Sequence, residues 1–380
     1  MQARRTAAAG RFAAAELPTE HEEVWRYSRI ADLDLDRFEP APASLSVEVV
    51  LPEGWAEAGV TVSRGDALTD EAALDRATSA GEDAFTLLNE AFSADPIVID
   101  IPRGAQLEGA ALVSSVISGD GAAVFGRLVV RVGEGASAAV VERVTSDDGA
   151  TLSIPVTDLT LERGARLDVV SVQQLGSKGW QLGTLFADVA QEADVQIGLV
   201  ALGGDYARLR TECRLAGRGA NGDLLAAYFG DGDQTLDFRT FQHHDARDTT
   251  SNLLFKGAVG GRSRSVYTGL IRVDKEARGT NAFQTNRNIK LSEDAWAESV
   301  PNLEIETNDV RCSHASTVGP VDPEQRFYLE SRGVPPQQAD RLIVAGFFDE
   351  VVRRLPGDDL VAEVRAAVAA KLDRVAEDLS

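Results

Sequence analysis

From Ile97 onward the chain alternates, Ile97, Ile99 and Ile101 standing against Val98 and Asp100 at the strand period of two. As far as about Asp322, short runs rich in Val, Leu and Ala are separated by turn signals such as Ser118-Gly119-Asp120-Gly121 and Gly230-Asp231-Gly232-Asp233, and no long helical period interrupts them. Within this stretch Gly104-Ala105-Gln106-Leu107, Gly135-Ala136-Ser137-Ala138 and Gly164-Ala165-Arg166-Leu167 each open a strand-like run, at spacings of 31 and 29 residues. Glu192-Ala193-Asp194-Val195 continues the rhythm 28 residues further on without its glycine. Spacing of this kind fits stacked coils that bury small inward residues against one another, a parallel β-solenoid. A β-sandwich also yields many short strands with regular turns, and the pattern alone leaves it open.

Helical patterns flank the β region. Asp83 to Phe92 places Phe85, Leu88, Ala91 and Phe92 on one stripe, with Asp95-Pro96 as its stop. Glu39-Pro40-Ala41-Pro42 reads as a stiff connector. At the other end Asp322-Pro323 opens a helix that runs to about Arg332 and stops at Gly333, and Pro335-Pro336 opens a second one carrying Ala339, Leu342, Ile343, Phe347, Phe348 and Val351. Val361 to Leu379 reads as a last amphipathic helix. The expected organisation is a mixed, partly helical region 1–95, a β core 96–321 and a helical region 322–380.

A chain of 380 residues with 44% hydrophobic content can bury a sizeable core. Its formal charge of −22 repels phosphate backbones and anionic membranes, which argues against nucleic-acid and membrane partners. Cys213 and Cys312 form no CxxC pair, so neither a disulfide framework nor a complete single-chain zinc or cluster site is indicated, and a reducing cytoplasm fits. The start with Arg4, Arg5 and Arg11 has no secretory apolar stretch and reads as a frayed terminus rather than a transit segment.

No GxxxxGK[ST], GxSxG or HExxH sequence is present, so P-loop nucleotide binding and the usual hydrolase and zinc-protease chemistries lose their signatures. Gly257-Ala258-Val259-Gly260-Gly261-Arg262 reads as a turn. His314 has Cys312 two residues away, so on a strand both project to one face about 7 Å apart. A thiolate and an imidazole suit iron, zinc or a cluster. Two donors do not close a site, and the remainder would come from His243, His244, Cys213 or another chain. The alternative is a small buried cysteine beside a hydrogen-bonded core histidine, and the residues alone do not decide between them. Asp231, Asp233 and Asp237 are the compact carboxylates for a polysaccharide-acting β-helix enzyme, and a solvated turn accounts for them better.

Residues 242–251 (Gln-His-His-Asp-Ala-Arg-Asp-Thr-Thr-Ser), Phe255-Lys256-Gly257, Tyr267 to Val273, Thr280 to Asn286, Pro301 to Ile305, Cys312-Ser313-His314, Phe327 to Gly333 and Phe347 to Val351 resemble, in order, the SufB/SufD family of iron–sulfur cluster assembly scaffolds. Glu23-Val24-Trp25-Arg26-Tyr27-Ser28 and Leu88 to Phe92 resemble the SufD branch. SufB-type chains carry a cysteine in the block where this chain has Phe283-Gln284-Thr285-Asn286. The resemblance implies a right-handed parallel β-helix flanked by N- and C-terminal helices, and a non-catalytic subunit that pairs with a SufB-like paralogue and docks a SufC-like ATPase. It implies that no nucleotide is bound by this chain and that a transient cluster forms at the subunit interface. Carried over by residue, Cys312 and His314 match the assembly-site positions. Phe327, Tyr328, Arg332, Phe347 and Phe348 fall in the ATPase-docking helices. Ala315-Ser316-Thr317-Val318-Gly319 departs from the commoner Gly-Ala-Thr order after the histidine. A purely structural interaction protein without a metal role differs from this reading only at Cys312 and His314.

Overall fold

The glycine rhythm marks the corner of a coil. In the computed structural model, which describes residues 1–68, 71–75 and 82–378, Gly104, Gly135 and Gly164 have φ of +74°, +68° and +65°. The same corner recurs at Gly219 and Gly279, and at Glu192 and Asp248, whose φ values are +57° and +59°. A left-handed conformation suits glycine and disfavours other residues by about 1–2 kcal/mol. The coil-to-coil hydrogen bonds hold it at the two exceptions, as when Glu192 N–H donates to Arg218 O at 3.0 Å and Asp248 N–H to Arg278 O at 2.8 Å. After most corners the next residue turns inward and is small: Ala136, Ala165, Ala193 and Ala220 are all buried, as are Thr249 and Thr280.

Each coil gives one strand to each of two parallel sheets. In one, Val156–Leu161, Trp180–Val189, Tyr206–Leu215, Thr235–His244, Arg264–Val273 and Trp296–Ile305 follow in order. In the other, Arg166–Gln174, Asp194–Ala201, Asn221–Gly230, Thr250–Val259, Thr280–Lys290 and Val310–Pro320 do the same. Tyr206 pairs with Thr235 and Thr235 with Arg264, 29 residues per coil. Parallel neighbours drawn from successive coils decide against the sandwich; the architecture is a β-solenoid of about 8 turns. Its interior is packed with stacked apolar side chains such as Ile99, Val130, Leu159, Val169, Ile197 and Leu224.

The first coil is capped. Leu45–Val50 lies antiparallel on Ala111–Ile117, and Thr61–Arg64 on Ile97–Ile101. The mixed, partly helical reading of this region does not include these strands, although Ser46, Val47, Glu48 and Val49 alternate at the strand period. The expected connector at Glu39–Pro40 itself adds a short parallel pair to Ala122–Ala123.

The N-terminal start is a helix, α1 (Gln2–Ala14), and not a frayed end. Its arginines reach acids far away in sequence: Arg4 pairs with Asp75 and Glu90, and Arg11 with Glu82 and Glu90. Helix α2 (Ala84–Phe92) begins with the side chains of Asp83 and Thr86 capping one another's backbone. It is buried beyond the expected stripe, because α1 covers one side while Asn89 on the other donates to Gly126 O and Ile154 O, each at 2.7 Å.

Residues 24–27 form a strap across the outer face of the first sheet. Arg208 and Arg239 donate to the carbonyls of Val24 and Arg26 at 2.7 Å, and the Arg208 guanidinium lies 3.8 Å over the Trp25 ring. Beneath them Asp237 is fully buried; burial opposes its charge, but Arg208 and Arg239 hold its pKa below the usual value.

The outer face of the second sheet is covered by the C-terminal helices. Helix α3 (Pro323–Ser331) is capped by Asp322 and ends at Gly333 with φ of +86°. Helices α4 (Pro336–Val352) and α5 (Asp358–Asp378) set Val344, Phe348, Val351, Val364, Val368 and Leu372 against Val170, Val200, Leu225 and Phe229. Leu379, the expected end of the last helix, lies outside the described residues. Among the described residues no helix is long and apolar enough to cross a membrane.

Glu142 is a charged type of side chain placed deep in the core. Its carboxyl meets the Thr157 hydroxyl at 3.3 Å and that of Ser171, and burial raises its pKa. The folded form therefore binds this proton more tightly than the unfolded one, so its contribution is present in acid and is lost as pH rises through the raised pKa. Thermal melts across pH should show Glu142→Gln lacking that part of the decline; parallel wild-type and variant curves would refute the assignment.

Candidate functional site at the open end of the solenoid

The last coil has no successor. Trp296–Ile305 and Val310–Pro320 are the terminal strands of their sheets, each paired on one side only. Cys312 and His314 sit on the second of them, in register with Ala282 and Gln284, which are inward-facing and buried. Both therefore share the inward face, about 7 Å apart along the strand. Cys312 packs partly against the cluster of Ile271, Val273, Ala277 and Ala282, with Leu303 and Val310 beside it, while His314 is exposed because no further coil covers it.

The remaining candidate donors are elsewhere. His244 is fully buried earlier in the stack, its Nδ1 2.8 Å from Thr249 Oγ1 and its Nε2 2.9 Å from Ser251 Oγ. Burial lowers its pKa to about 4. His243 lies on the opposite face of the same strand, its ring parallel to that of Phe241. Cys213 is fully buried, which pushes its thiol up to about 12, with Asp188 and Asp223 adding to the shift. The picture of a core cysteine and a hydrogen-bonded core histidine thus fits Cys213 and His244, and does not fit the exposed His314. Among the described residues no three His, Cys, Asp or Glu side chains come together as a metal site. Cys312 and His314 thus stand together at an open mouth, and among the described residues no closed site surrounds them.

Beneath that mouth the interior turns polar. Gln284, Asn286 and Asn288 alternate along Thr280–Lys290 and are all buried. Asn286 donates to Tyr228 Oη at 2.8 Å, Tyr228 donates to Asn288 Oδ1 at 2.9 Å, and Gln284 donates to Tyr267 Oη. Sequence reasoning passed over this row as a difference from a related branch, although its i, i+2, i+4 spacing in a strand was a visible signal.

A family model described as the SUF system FeS cluster assembly SufBD core domain matches residues 115–347, well over half the chain. The chain belongs to the SufBD family. It is 33% identical over 366 residues to an iron–sulfur cluster assembly SufBD family protein of Mycobacterium tuberculosis, covering 94% of this chain and 90% of that one. It is 33% identical over 184 residues to the iron–sulfur cluster assembly protein SufD of Escherichia coli, covering 48% of this chain and 44% of that one. With SufD of Bacillus subtilis the identity is 34% over 158 residues, 42% of this chain and 36% of that one.

In this SufBD chain the helical residues singled out from sequence divide into two groups. Phe327 and Tyr328 on α3 are 72% and 58% exposed, and Arg332 beyond its end lies over the Tyr328 ring. Phe347 is partly buried with the Lys256 ammonium 4.5 Å from its ring centre. Phe348 is buried and stacked on Phe229, so it holds α4 to the solenoid and offers no free surface. The three carboxylates are likewise separated. Asp231 is bound by Lys371 and Arg374, Asp233 by Arg262, and Asp237 lies buried beneath the strap, so the solvated-turn reading holds for Asp233 and not for the other two.

Burial raises the pKa of the Cys312 thiol, a backbone hydrogen bond to Ala282 working against it. The two cysteines of the SufBD chain should therefore separate cleanly: under native conditions a thiol reagent modifies Cys312 alone, and Cys213 reacts only in denaturant. Reaction of both at similar rates in the folded state would contradict the placement of Cys213.

Proposed function

We propose that this SufBD protein is a SufD-type, non-catalytic scaffold subunit of iron–sulfur cluster assembly, whose open last coil is covered by a SufB-like paralogue. The observation that carries the reading is the asymmetry of the two ends. Antiparallel strands cap the first coil, whereas the last coil leaves two strand edges unpaired beside Cys312 and His314. An unpaired edge presents a row of backbone donors and acceptors, which a second solenoid end satisfies strand against strand.

Covering the mouth also excludes water from the two donors. The nascent cluster is cargo in this scheme: a thiolate from Cys312 and an imidazole nitrogen from His314 supply part of its ligand set, and the partner supplies the rest. The exposed Phe327, Tyr328 and Arg332, with the partly buried Phe347, form an aromatic surface with a cation, the composition of a docking site for a SufC-like ATPase. Movement of that ATPase would reach the solenoid through α4, whose Glu350 is paired with the buried Lys256.

Co-expression with a SufB-like chain and a SufC-like ATPase should give a complex that purifies together, and a chain that stays monomeric beside them would refute the pairing. In that complex His314→Ala should lower cluster yield severalfold with the subunits still assembled. Unchanged yield would remove His314 from the donor set.

A further inference from the structure

The carboxamide of Gln284 is an inward group beneath the mouth whose hydrogen bonding is half complete. Its Nε2 donates to Tyr267 Oη, and that hydroxyl lies 3.0 Å from Thr240 Oγ1. Gln284 is 1% exposed, and its Oε1 has no hydrogen-bond partner among the described residues. A shielded amide oxygen left unmet is costly, which makes it a strong acceptor for any donor brought to it. The amide nitrogen faces the Tyr267 hydroxyl, which leaves the oxygen as the open end.

The donor next to it is set by register. Gln284 is the direct ladder partner of His314, one strand spacing of about 4.8 Å away on the same face. Cys312 and Ser316 share that face but lie two residues to either side. His314 is turned to solvent while the last coil is open. Once that coil is covered, its ring has Gln284 directly behind it.

We infer that Gln284 is a positioning residue for His314. Its Oε1 accepts the ring N–H of His314 in the assembled complex, and so directs the other ring nitrogen, with its lone pair, toward the mouth. A histidine ligand is commonly oriented in this way, since the hydrogen bond made by one nitrogen fixes which nitrogen is free to ligate. The polar line Thr240–Tyr267–Gln284 then supports the donor from inside the solenoid. This inference rests on the reading of Cys312 and His314 as a donor pair covered by a partner.

The test is nitrogen NMR of the metal-free complex, made with the full chain carrying ring-15N histidine, at alkaline pH where the imidazole is neutral. The chain has only four histidines, and loss of one signal in His314→Ala assigns the relevant ring. The wild type should favour one His314 tautomer about tenfold, the scale of one net hydrogen bond. Gln284→Leu and Gln284→Met should lose that preference, whereas Gln284→Glu, which keeps an acceptor oxygen, should retain it. Having two apolar variants guards against one that fails to fold. Assembled Leu and Met variants with the wild-type ratio would overturn the inference.

The two levels fail separately. A tautomer ratio that follows residue 284, with cluster yield indifferent to His314→Ala, supports the positioning role and removes the donor role. A yield that drops in His314→Ala, with a ratio indifferent to residue 284, overturns the positioning role alone.

Discussion

Every coil of this protein is held by backbone hydrogen bonds to the coil before and the coil after it, and that arrangement cannot satisfy its own last member. The corner bonds show how strict the ladder is, since it keeps Glu192 and Asp248 in a left-handed conformation that neither side chain favours. At the beginning of the stack the protein resolves the problem within its own chain, folding Leu45–Val50 and Thr61–Arg64 back as antiparallel caps. At the end it does not. Trp296–Ile305 and Val310–Pro320 are left with unpaired edges, and Cys312 and His314 sit on the second of these strands.

The composition of the interior follows the same axis. Through the early and middle coils most inward positions are Ile, Val, Leu and Ala, as a dry narrow core requires, with Glu142 and Thr157 as a polar exception. Toward the open end they become Tyr228, Tyr267, Gln284, Asn286 and Asn288, linked to one another by hydrogen bonds. Polar groups in a shielded place demand partners, so such a row is retained where it orients something. The outer faces carry the complementary task of rigidity. The strap of residues 24–27 locks one sheet through Arg208 and Arg239, and Lys256 and Lys371 tie the C-terminal helices to the other.

Much of this was legible because a few positions have narrow chemical requirements. A left-handed corner selects glycine and the inward position after it selects alanine, so the coil repeat surfaced as Gly-Ala at Gly104, Gly135 and Gly164. The alternation rule placed Cys312 and His314 on one face, as found, and the Asp322 and Gly333 signals bounded α3. What escaped depends on partners distant in sequence. Helix α1 has little apolar stripe of its own and is held by Asp75, Glu82 and Glu90. Phe348 and Phe347 are adjacent on a helix, and only packing on Phe229 decides that the former is core. Asp237 read as a turn residue because nothing local announces Arg208, Arg239 and the strap above them.

On the proposed reading, Cys312 and His314 are half of a site that is completed only when the open coil is covered. Anaerobic iron and sulfide analysis after reconstitution tests it directly, comparing the isolated chain with its complex with a SufB-like partner and a SufC-like ATPase. The account predicts iron and sulfide retained by the complex and lost from the isolated chain on desalting. A cluster held stoichiometrically by the isolated chain would contradict it.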